Sequence, residues 1–425
     1  MTTMRTVLIA LMMAMLSTGA MAAGPAEELE ALVQEGLARN PEVHAAQARW
    51  EMLREKIVQA GSFEDPMLMF RIQNAPFSDP VAFNQEPMTA KVIGVSQKIP
   101  FAGKRALAAE VASHEAEAGR WQYEERRLEL TRMIKETYYR LFYADEALRI
   151  VARNIQVLDD LIRFTETMYG VGKALQQDVF KAQVERSRME DMQISLQQQR
   201  SSLAAVMNSL LYRPAETALP PVEGVVIVPL SATAGELAAQ AEEQRPLLKS
   251  LAARVEKGKT AKVLAQKEYY PDFNVVFEYM QREPVAETPG EDMYTLGVSL
   301  NLPVQRRRRE AMVSEAQAET RMAAAELDTL RNTIRRNIAD SLARLTRSRR
   351  MADLYRTAII PQATGALDAA MAAYRVGKID FLSVLDNQLN LFNYERQYYE
   401  AVAEHQMQSA QLEGVVGTAL PLMER

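Results

Sequence analysis

The sequence predicts a mainly α-helical protein with a membrane β-barrel portion, built from long coiled-coil helices and four short β-strands per chain in two internal repeats. Three observations predict this fold class. One block of sequence recurs about 205 residues further along the chain. Long stretches lack proline, as extended helices require. The short segments between them alternate apolar and polar residues with a period of two, which is typical of strands.

An export signal precedes the repeats. The first residues carry a single charge, at Arg5, followed by an apolar run over residues 7–16 and small residues around Ala22. This order is typical of a secretory signal peptide, here residues 1–22. The apolar run is too short to cross a bilayer as a helix. The chain has no cysteine, so we expect neither a disulfide nor a cysteine-linked lipid anchor.

The repeat divides the rest of the chain. We assign residues 23–220 to a first repeat, residues 221–235 to a linker and residues 236–425 to a second repeat. The matched landmarks are Asn40-Pro41 with Arg245-Pro246, Asp65-Pro66 with Tyr270-Pro271, Gly94 to Pro100 with Gly297 to Pro303, and Tyr169 to Lys173 with Tyr374 to Lys378. A repeat of this length far exceeds a solenoid unit, so it predicts two copies of one large block side by side.

Each repeat contains a long helical hairpin. In the first repeat, residues 104–168 hold no proline and predict a helix roughly 95 Å long at about 1.5 Å per residue. Apolar residues recur every seven positions from Ile134 to Ile162, with a second set three residues later, which is the a/d seam of a coiled coil. The second repeat keeps a looser seam of smaller residues from Ile338 to Ile359.

Four strands are predicted in two pairs, at residues 67–74, 91–99, 272–280 and 293–301. In the second pair, apolar residues such as Phe277 and Leu296 alternate with polar ones such as Glu278 and Thr295. About nine residues is the length a tilted strand needs to cross a bilayer. Because lipid tolerates no open sheet edge, strands of several copies must close one barrel, and three copies with twelve strands are the small solution.

On these features the chain resembles the TolC-type outer-membrane channels of tripartite efflux pumps and type I secretion systems. The resemblance spans both repeats and is carried by the Asn40-Pro41 helix break, the prolines at strand entry and exit, and the motif Tyr-x-x-Gly-Lys at Tyr169 and again at Tyr374. It implies a homotrimer with a twelve-stranded barrel in the outer membrane, continued by a helical barrel in the periplasm.

The resemblance also implies a function and partners. Such a protein is a passive exit duct from the periplasm to the outside, engaged by a periplasmic adaptor (a membrane fusion protein) and an inner-membrane transporter, with its barrel in outer-membrane lipid. Residues 83–89 and 94–105 look most like the branch that serves heavy-metal efflux, which implies an RND-type transporter and heavy-metal cations or other toxic small molecules as cargo. The alternatives are a duct for type I secretion or organic compounds, and a periplasmic coiled-coil scaffold without a pore.

The tips of the two helical hairpins are the predicted functional site, because by the resemblance they form the periplasmic mouth. The aperture candidates are Asp178, Tyr374, Asp380 and Asp386, and the candidates for turn formation and adaptor contact are Tyr169, Gly172, Lys173, Gly377 and Lys378. Glycine permits the tight turn, and lysine suits the C-terminal end of a helix dipole. Ser383 and Ile379 replace an aspartate and an arginine of the family, so we expect a different closing network, in which Asp380 is either an alternative charge or a solvated turn residue.

Other functions are disfavoured. The net charge is −5 and the three histidines are scattered, so neither nucleic-acid binding nor a metal cluster is indicated. The sequence shows no nucleophile beside a base and no phosphate-binding glycine loop, so we expect no enzyme activity and no cofactor.

The run Arg306 to Arg309 places four positive charges at the predicted start of a helix, where they oppose the dipole. Lipid phosphates, acidic neighbours at the base of the barrel, and simple solvent exposure are the three explanations we consider.

Overall fold

The structure is a computed structural model that describes residues 25–421. The predicted signal peptide lies outside the described residues. The elements follow in the order α1 (Pro25–Arg39), α2 (Pro41–Gly61), β1 (Met67–Gln73), β2 (Ala90–Ile99), α3 (Lys104–Gly170), α4 (Gln176–Leu210), α5 (Ala234–Gln244), α6 (Pro246–Lys267), β3 (Phe273–Arg282), β4 (Met293–Leu300), α7 (Arg306–Leu354), a π-helical turn (Tyr355–Ile359), α8 (Ile360–Arg375) and α9 (Phe381–Val416). Within residues 25–421, no helix combines the length and apolarity needed to span a membrane.

Helices α1 and α2 are separated by the predicted break at Asn40. The Asn40 Oδ1 atom accepts a hydrogen bond of 2.9 Å from the backbone nitrogen of Glu42, which caps the start of α2. Pro41 follows at a position where a helix needs no backbone donor. The Asn40 side-chain amide donates to the carbonyl of Leu210 at 3.0 Å and ties the break to the end of α4. The second repeat breaks at the corresponding place, before Pro246.

The long helices confirm the predicted seams. Helix α3 has 67 residues, and its seam residues from Ile134 to Ile162 are buried or half-buried. In the second repeat the seam from Ile338 to Tyr355 is buried throughout. The small side chains predicted there allow neighbouring helices to approach closely.

One π-helical turn joins α7 to α8 and lies directly before Ile360 and Pro361. Proline has no backbone N–H, so it cannot bond to the preceding turn of an α-helix. The wider π turn is the local adjustment through which the helical stretch continues past Pro361.

The four predicted strands form one antiparallel sheet in the order β1-β2-β3-β4, with ends shifted by one or two residues from the predicted bounds. The two repeats meet at its centre, where β2 pairs with β3. A single row crosses all four strands, from Phe70 through Ile93 and Tyr279 to Tyr294. Strands β1 and β4 are the edges of this sheet.

The chain forms two compact units. The hairpin unit comprises Met1–His44, as far as it is described, with Arg126–Arg245 and Ile334–Arg425, again as far as it is described. The sheet unit comprises Ala45–Glu125 and Pro246–Thr333 and therefore contains the whole sheet.

Each unit has its own internal packing between helices. The hairpin unit has an apolar cluster that includes Leu158, Val384 and Phe392. In the sheet unit, a Cβ atom on Gly119 would lie 2.5 Å from Leu53 Cδ1, so this glycine lets two helices approach each other.

Candidate functional site: the two hairpin tips

The first tip, residues 169–178, links α3 to α4 through a glycine turn. Gly172 has a φ of +73°, the left-handed conformation that glycine adopts without strain. The backbone nitrogen of Lys173 donates to the carbonyl of Met168 at 2.8 Å, and that of Gly172 donates to the carbonyl of Tyr169 at 2.9 Å. These two bonds form a Schellman motif, which satisfies the last carbonyls of α3.

The second tip, residues 374–386, links α8 to α9 through the same turn. Gly377 has a φ of +72°. The backbone nitrogen of Lys378 donates to the carbonyl of Ala373 at 3.0 Å, and that of Gly377 donates to the carbonyl of Tyr374 at 2.9 Å. The repeated sequence motif therefore encodes one backbone structure twice. Both lysine side chains are exposed.

The two motif tyrosines hold the same backbone position but lie in different surroundings. The Tyr169 side chain is 48% exposed, whereas Tyr374 is only 5% exposed. The Tyr374 ring packs against Phe164 of α3 and Phe381 of α9, with both ring centroids 5.8 Å away. Within one chain, Tyr374 is therefore a core residue that holds the two hairpins together.

The Tyr374 hydroxyl is buried, and among the described residues no partner meets full hydrogen-bond geometry, although the Thr165 side chain lies close enough to interact with it. Burial raises the pKa of this hydroxyl, the Thr165 side chain partly offsets that rise, and the negative charge of Asp178 adds to it. A buried hydroxyl without a well-formed hydrogen bond is a cost to the fold, and here it lies at the tip expected to act as a gate.

The three acidic candidates differ in their bonding. Asp380 caps α9, because its Oδ1 atom accepts bonds from the backbone nitrogen of Ser383 at 2.9 Å and from the Ser383 hydroxyl at 2.6 Å. These bonds hold the pKa of Asp380 below its usual range. Asp178 accepts from the backbone nitrogen of Leu175 at 3.2 Å and steadies the start of α4. Asp386 is exposed and accepts only a bond of 3.1 Å from Asn390 among the described residues.

The two family positions that depart in this sequence both take structural roles. Ser383 bonds the Asp380 carboxylate, as described above. Ile379 packs, half-buried, against the apolar cluster of the hairpin unit. In this chain the pair Asp380 and Ser383 therefore stabilises a helix start.

Sequence reasoning missed a polar pair inside the same cluster. The Gln388 side-chain amide donates to Asn154 Oδ1 at 2.8 Å, and both residues are buried. The Asn154 nitrogen has no partner among the described residues. Asn154 precedes a seam position and Gln388 lies in α9 two residues after the second tip. Their contact joins helices more than 200 residues apart, so no local pattern signals it.

The sheet has the two faces that the alternation predicted. The exposed apolar face includes Leu68, Phe70, Ile93, Phe277, Tyr294, Leu296 and Val298. On the other face, Arg71 donates to Glu278 at 2.8 Å across the intervening strand. Gly94 lies between them, and a Cβ atom there would approach Glu278 Cγ to 3.0 Å. The polar face thus has space for this ion pair because β2 carries a glycine.

The sequence matches a known protein family over most of its length. The profile of the outer membrane efflux protein family matches residues 32–210 and 237–418. A curated relative, the cobalt-zinc-cadmium resistance protein CzcC of Cupriavidus metallidurans, is 23% identical over 400 residues, which is 93% of this chain and 91% of CzcC.

Solved structures share the fold along nearly the whole chain. The outer membrane protein VceC of Vibrio cholerae superposes with a TM-score of 0.77 at 20% identity, over 93% of this chain and 97% of VceC. CusC gives a TM-score of 0.77 at 15% identity, over 95% and 96% of the two chains. The open MtrE outer membrane channel of Neisseria gonorrhoeae gives 0.74 at 16% identity, over 92% and 89%. The predicted fold class is confirmed by these likenesses.

Proposed function

The chain belongs to the outer membrane efflux protein family, and from that premise we propose that three copies form a passive exit duct across the outer membrane. The duct ends in the periplasm at the hairpin tips. There a periplasmic adaptor engages it, and an inner-membrane transporter supplies the energy. The chain itself contributes a channel and carries out no reaction.

The observation that carries this proposal is the four-stranded sheet, with one exposed apolar face and two edge strands. An isolated sheet of this kind exposes unpaired backbone groups at both edges. In lipid each unpaired group would cost several kcal/mol, so the sheet has to close with strands of other copies. Three copies supply twelve strands, a number within the range of membrane barrels.

The proposed gate lies at the tips. Asp178, Asp380 and Asp386 would place three carboxylates per copy near the mouth, which favours cations. Tyr169, Lys173 and Lys378 would contact the adaptor, since their side chains are exposed at the two turns. The division into repeats at residues 221–235 stays a prediction.

We propose heavy-metal cations as the cargo and an RND-type transporter as the partner. The support is the 23% identity to CzcC along 93% of this chain, together with the resemblance of residues 83–89 and 94–105 to the heavy-metal branch. A duct for organic compounds or secreted proteins is the second candidate, because the same fold occurs in outer-membrane channels such as VceC and MtrE.

Single-channel conductance of the purified protein in a planar bilayer tests the duct. We expect small, cation-preferring steps that become larger or more frequent in Asp386→Ala. Gly365→Ala, a helix substitution with open space around it, is the matched control and should leave the steps unchanged. A protein that extracts without detergent and never conducts would overturn the proposal in favour of a scaffold without a pore.

The cargo is tested separately in cells that lack the gene. We expect such cells to become sensitive to cobalt, zinc or cadmium salts and to regain resistance with the intact gene. Sensitivity to organic dyes instead, with unchanged metal resistance, would assign the duct to the second candidate.

A further inference from the structure

A buried lysine joins the two repeats within one chain through ion pairs, at the point where β2 lies beside β3. We call this group of ion pairs the clasp. Lys104, the first residue of α3, lies just past the exit of β2, and its side chain is 6% exposed. Its Nζ atom lies 2.9 Å from Asp272 Oδ1 and 3.3 Å from Glu268 Oε2. Both carboxylates belong to the turn that leads into β3. The basic segment that follows β2 in the first repeat (the exit segment) thus binds the acidic turn that precedes β3 in the second repeat (the entry turn).

Apolar contacts accompany this clasp. The Phe101 ring stacks on the Tyr270 ring with centroids 4.5 Å apart. The backbone nitrogen of Phe101 also donates to the Asp272 carboxylate at 2.8 Å. The contact between the two repeats therefore combines ion pairs, ring stacking and the backbone hydrogen bonds between β2 and β3.

The opposite edges of the sheet also carry a basic exit segment and an acidic entry turn, but at the entry the charged positions differ: at the repeat offset of 205 residues Asp272 aligns with Met67, and Asp65 aligns with Tyr270. After β4, the exit segment carries the exposed Arg306, Arg307 and Arg308, none of which has an ion-pair partner within the described residues. Before β1, the entry turn carries Glu64 and Asp65. Glu64 pairs with Lys98 at 2.6 Å, whereas Asp65 is exposed and makes no ion pair in the described part of the chain.

These two segments cannot meet within one chain. They flank β1 and β4, which are separated by three strand spacings, or about 14 Å. Leu302 and Val304, the counterparts of the packed exit segment around Phe101, are 71% and 78% exposed. Three guanidinium groups at the start of a helix also oppose its dipole, so a negative partner would stabilise them.

We propose that Arg306, Arg307 and Arg308 of one copy bind the entry turn at Asp65 of a second copy, and that this clasp sets the register in which β4 pairs with the neighbour's β1. This inference rests on the proposed assembly and names the contacts that hold it together. The partner is a second copy of this chain. Its entry turn supplies the negative charge that the arginines lack, and its β1 supplies an unpaired edge for β4.

The repeat also specifies the register. Within the chain, Gln97 lies opposite Val275 and Val95 lies opposite Phe277. The exit strands are related by 203 residues and the entry strands by 205, as their prolines show. Between copies, Leu300 should therefore lie opposite Phe70, and Val298 opposite Ile72.

The alternation of side chains between the two faces of the sheet also supports this register. Leu300, Val298, Phe70 and Ile72 are all exposed and apolar, so the pairing joins side chains that belong to the same lipid-facing surface. A slip of one residue would turn one set toward the polar face.

Cysteine cross-linking tests the register, since the chain contains no cysteine of its own. The double variant Leu300→Cys with Phe70→Cys should form covalent trimers on mild oxidation in the membrane. The matched control, Leu300→Cys with Ile72→Cys, keeps the face but shifts the register by two residues and should cross-link at least tenfold less. Stronger cross-linking of the control would overturn the register.

Charge reversal tests the clasp. Replacing Arg306, Arg307 and Arg308 together by Glu should lower the trimer fraction about tenfold or more, as expected for close charge pairs at an interface. Adding Glu64→Arg and Asp65→Arg should restore the trimer, which excludes a mere folding defect. The control Arg336→Glu alters an exposed charge on the same helix and should have little effect.

Two results would overturn the clasp. Trimers unaffected by the triple reversal would leave the arginine cluster without this role. Trimers that persist while the reversed protein loses binding to anionic phospholipid vesicles would assign the cluster to lipid phosphates. A wild-type chain that forms no oligomer, in any cross-linking experiment, would instead refute the proposed assembly itself.

Discussion

The two hairpin tips share one backbone structure but use their tyrosines in opposite ways. Gly172 and Gly377 differ by one degree in φ, and the same pair of hydrogen bonds closes each turn. Yet Tyr169 is half exposed and Tyr374 is buried between two phenylalanines. The difference shows that the repeated motif preserves a way to turn the chain, whereas the packing of each tip has diverged.

The same difference suits the second tip for holding the hairpins together and the first tip for binding a partner. The second tip is held by an aromatic core and by the Asp380 cap, so its packing limits how far the two hairpins can move apart. The first tip exposes its tyrosine and so has a side chain free for a partner. Local unfolding free energies of the tips, measured by hydrogen exchange of their backbone amides, can test this division.

The largest expected effect is that of Tyr374→Ala. Removing a buried aromatic side chain costs about 3–5 kcal/mol, so exchange of the second tip and of the facing part of α3 should accelerate strongly. Tyr169→Ala at the equivalent exposed position should change exchange by no more than about 0.5 kcal/mol. Equal effects of the two substitutions would break the comparison, because they would place both tyrosines in equivalent surroundings.

The turn glycines should respond alike. Alanine in the left-handed conformation costs about 1–2 kcal/mol, so Gly172→Ala and Gly377→Ala should each destabilise their own tip by that amount. Gly170→Ala is the matched control, since this glycine is the last residue of α3 with open space around it, and alanine there should stabilise the helix by at most about 0.5–1 kcal/mol. A glycine turn whose alanine variant costs nothing would contradict the shared backbone structure.

Local sequence patterns were sufficient to predict the turn that the two tips share. They were insufficient to predict the side-chain packing in which the tips differ. The glycines, the heptad seam from Ile134 and the alternation in the strands are all encoded within a few residues. The burial of Tyr374 depends on Phe164, which arrives from a helix more than 200 residues earlier in the chain. The Asn154 and Gln388 pair depends on the same long-range packing, and so neither could be predicted from the motif.

Tyr374→Phe sharpens the comparison by removing only the hydroxyl. Because this buried hydroxyl makes no hydrogen bond of full geometry among the described residues and only a weaker contact with Thr165, its loss should leave the tip as stable as before or stabilise it by up to about 1 kcal/mol. Hydrogen exchange of a monomeric, detergent-solubilised sample measures this directly. If the same variant raises conductance of the assembled duct, the hydroxyl bonds to a neighbouring copy in the closed state, and Tyr374 serves both the core and the gate.

The smallest expected effect is an acid sensitivity of the second tip through Asp380. Its pKa is held below the usual value of 3.8 by the Ser383 hydroxyl and backbone nitrogen, so ionised Asp380 stabilises the folded tip. That contribution is fully present above the unfolded pKa, and it is lost as the pH falls below about 4 and through the lower folded value. Asp380→Asn keeps a capping oxygen without a titrating group. The difference in tip exchange between wild type and Asp380→Asn should therefore change below pH 4 and stay constant above pH 5, whereas a difference independent of pH would show that the cap acts without its charge.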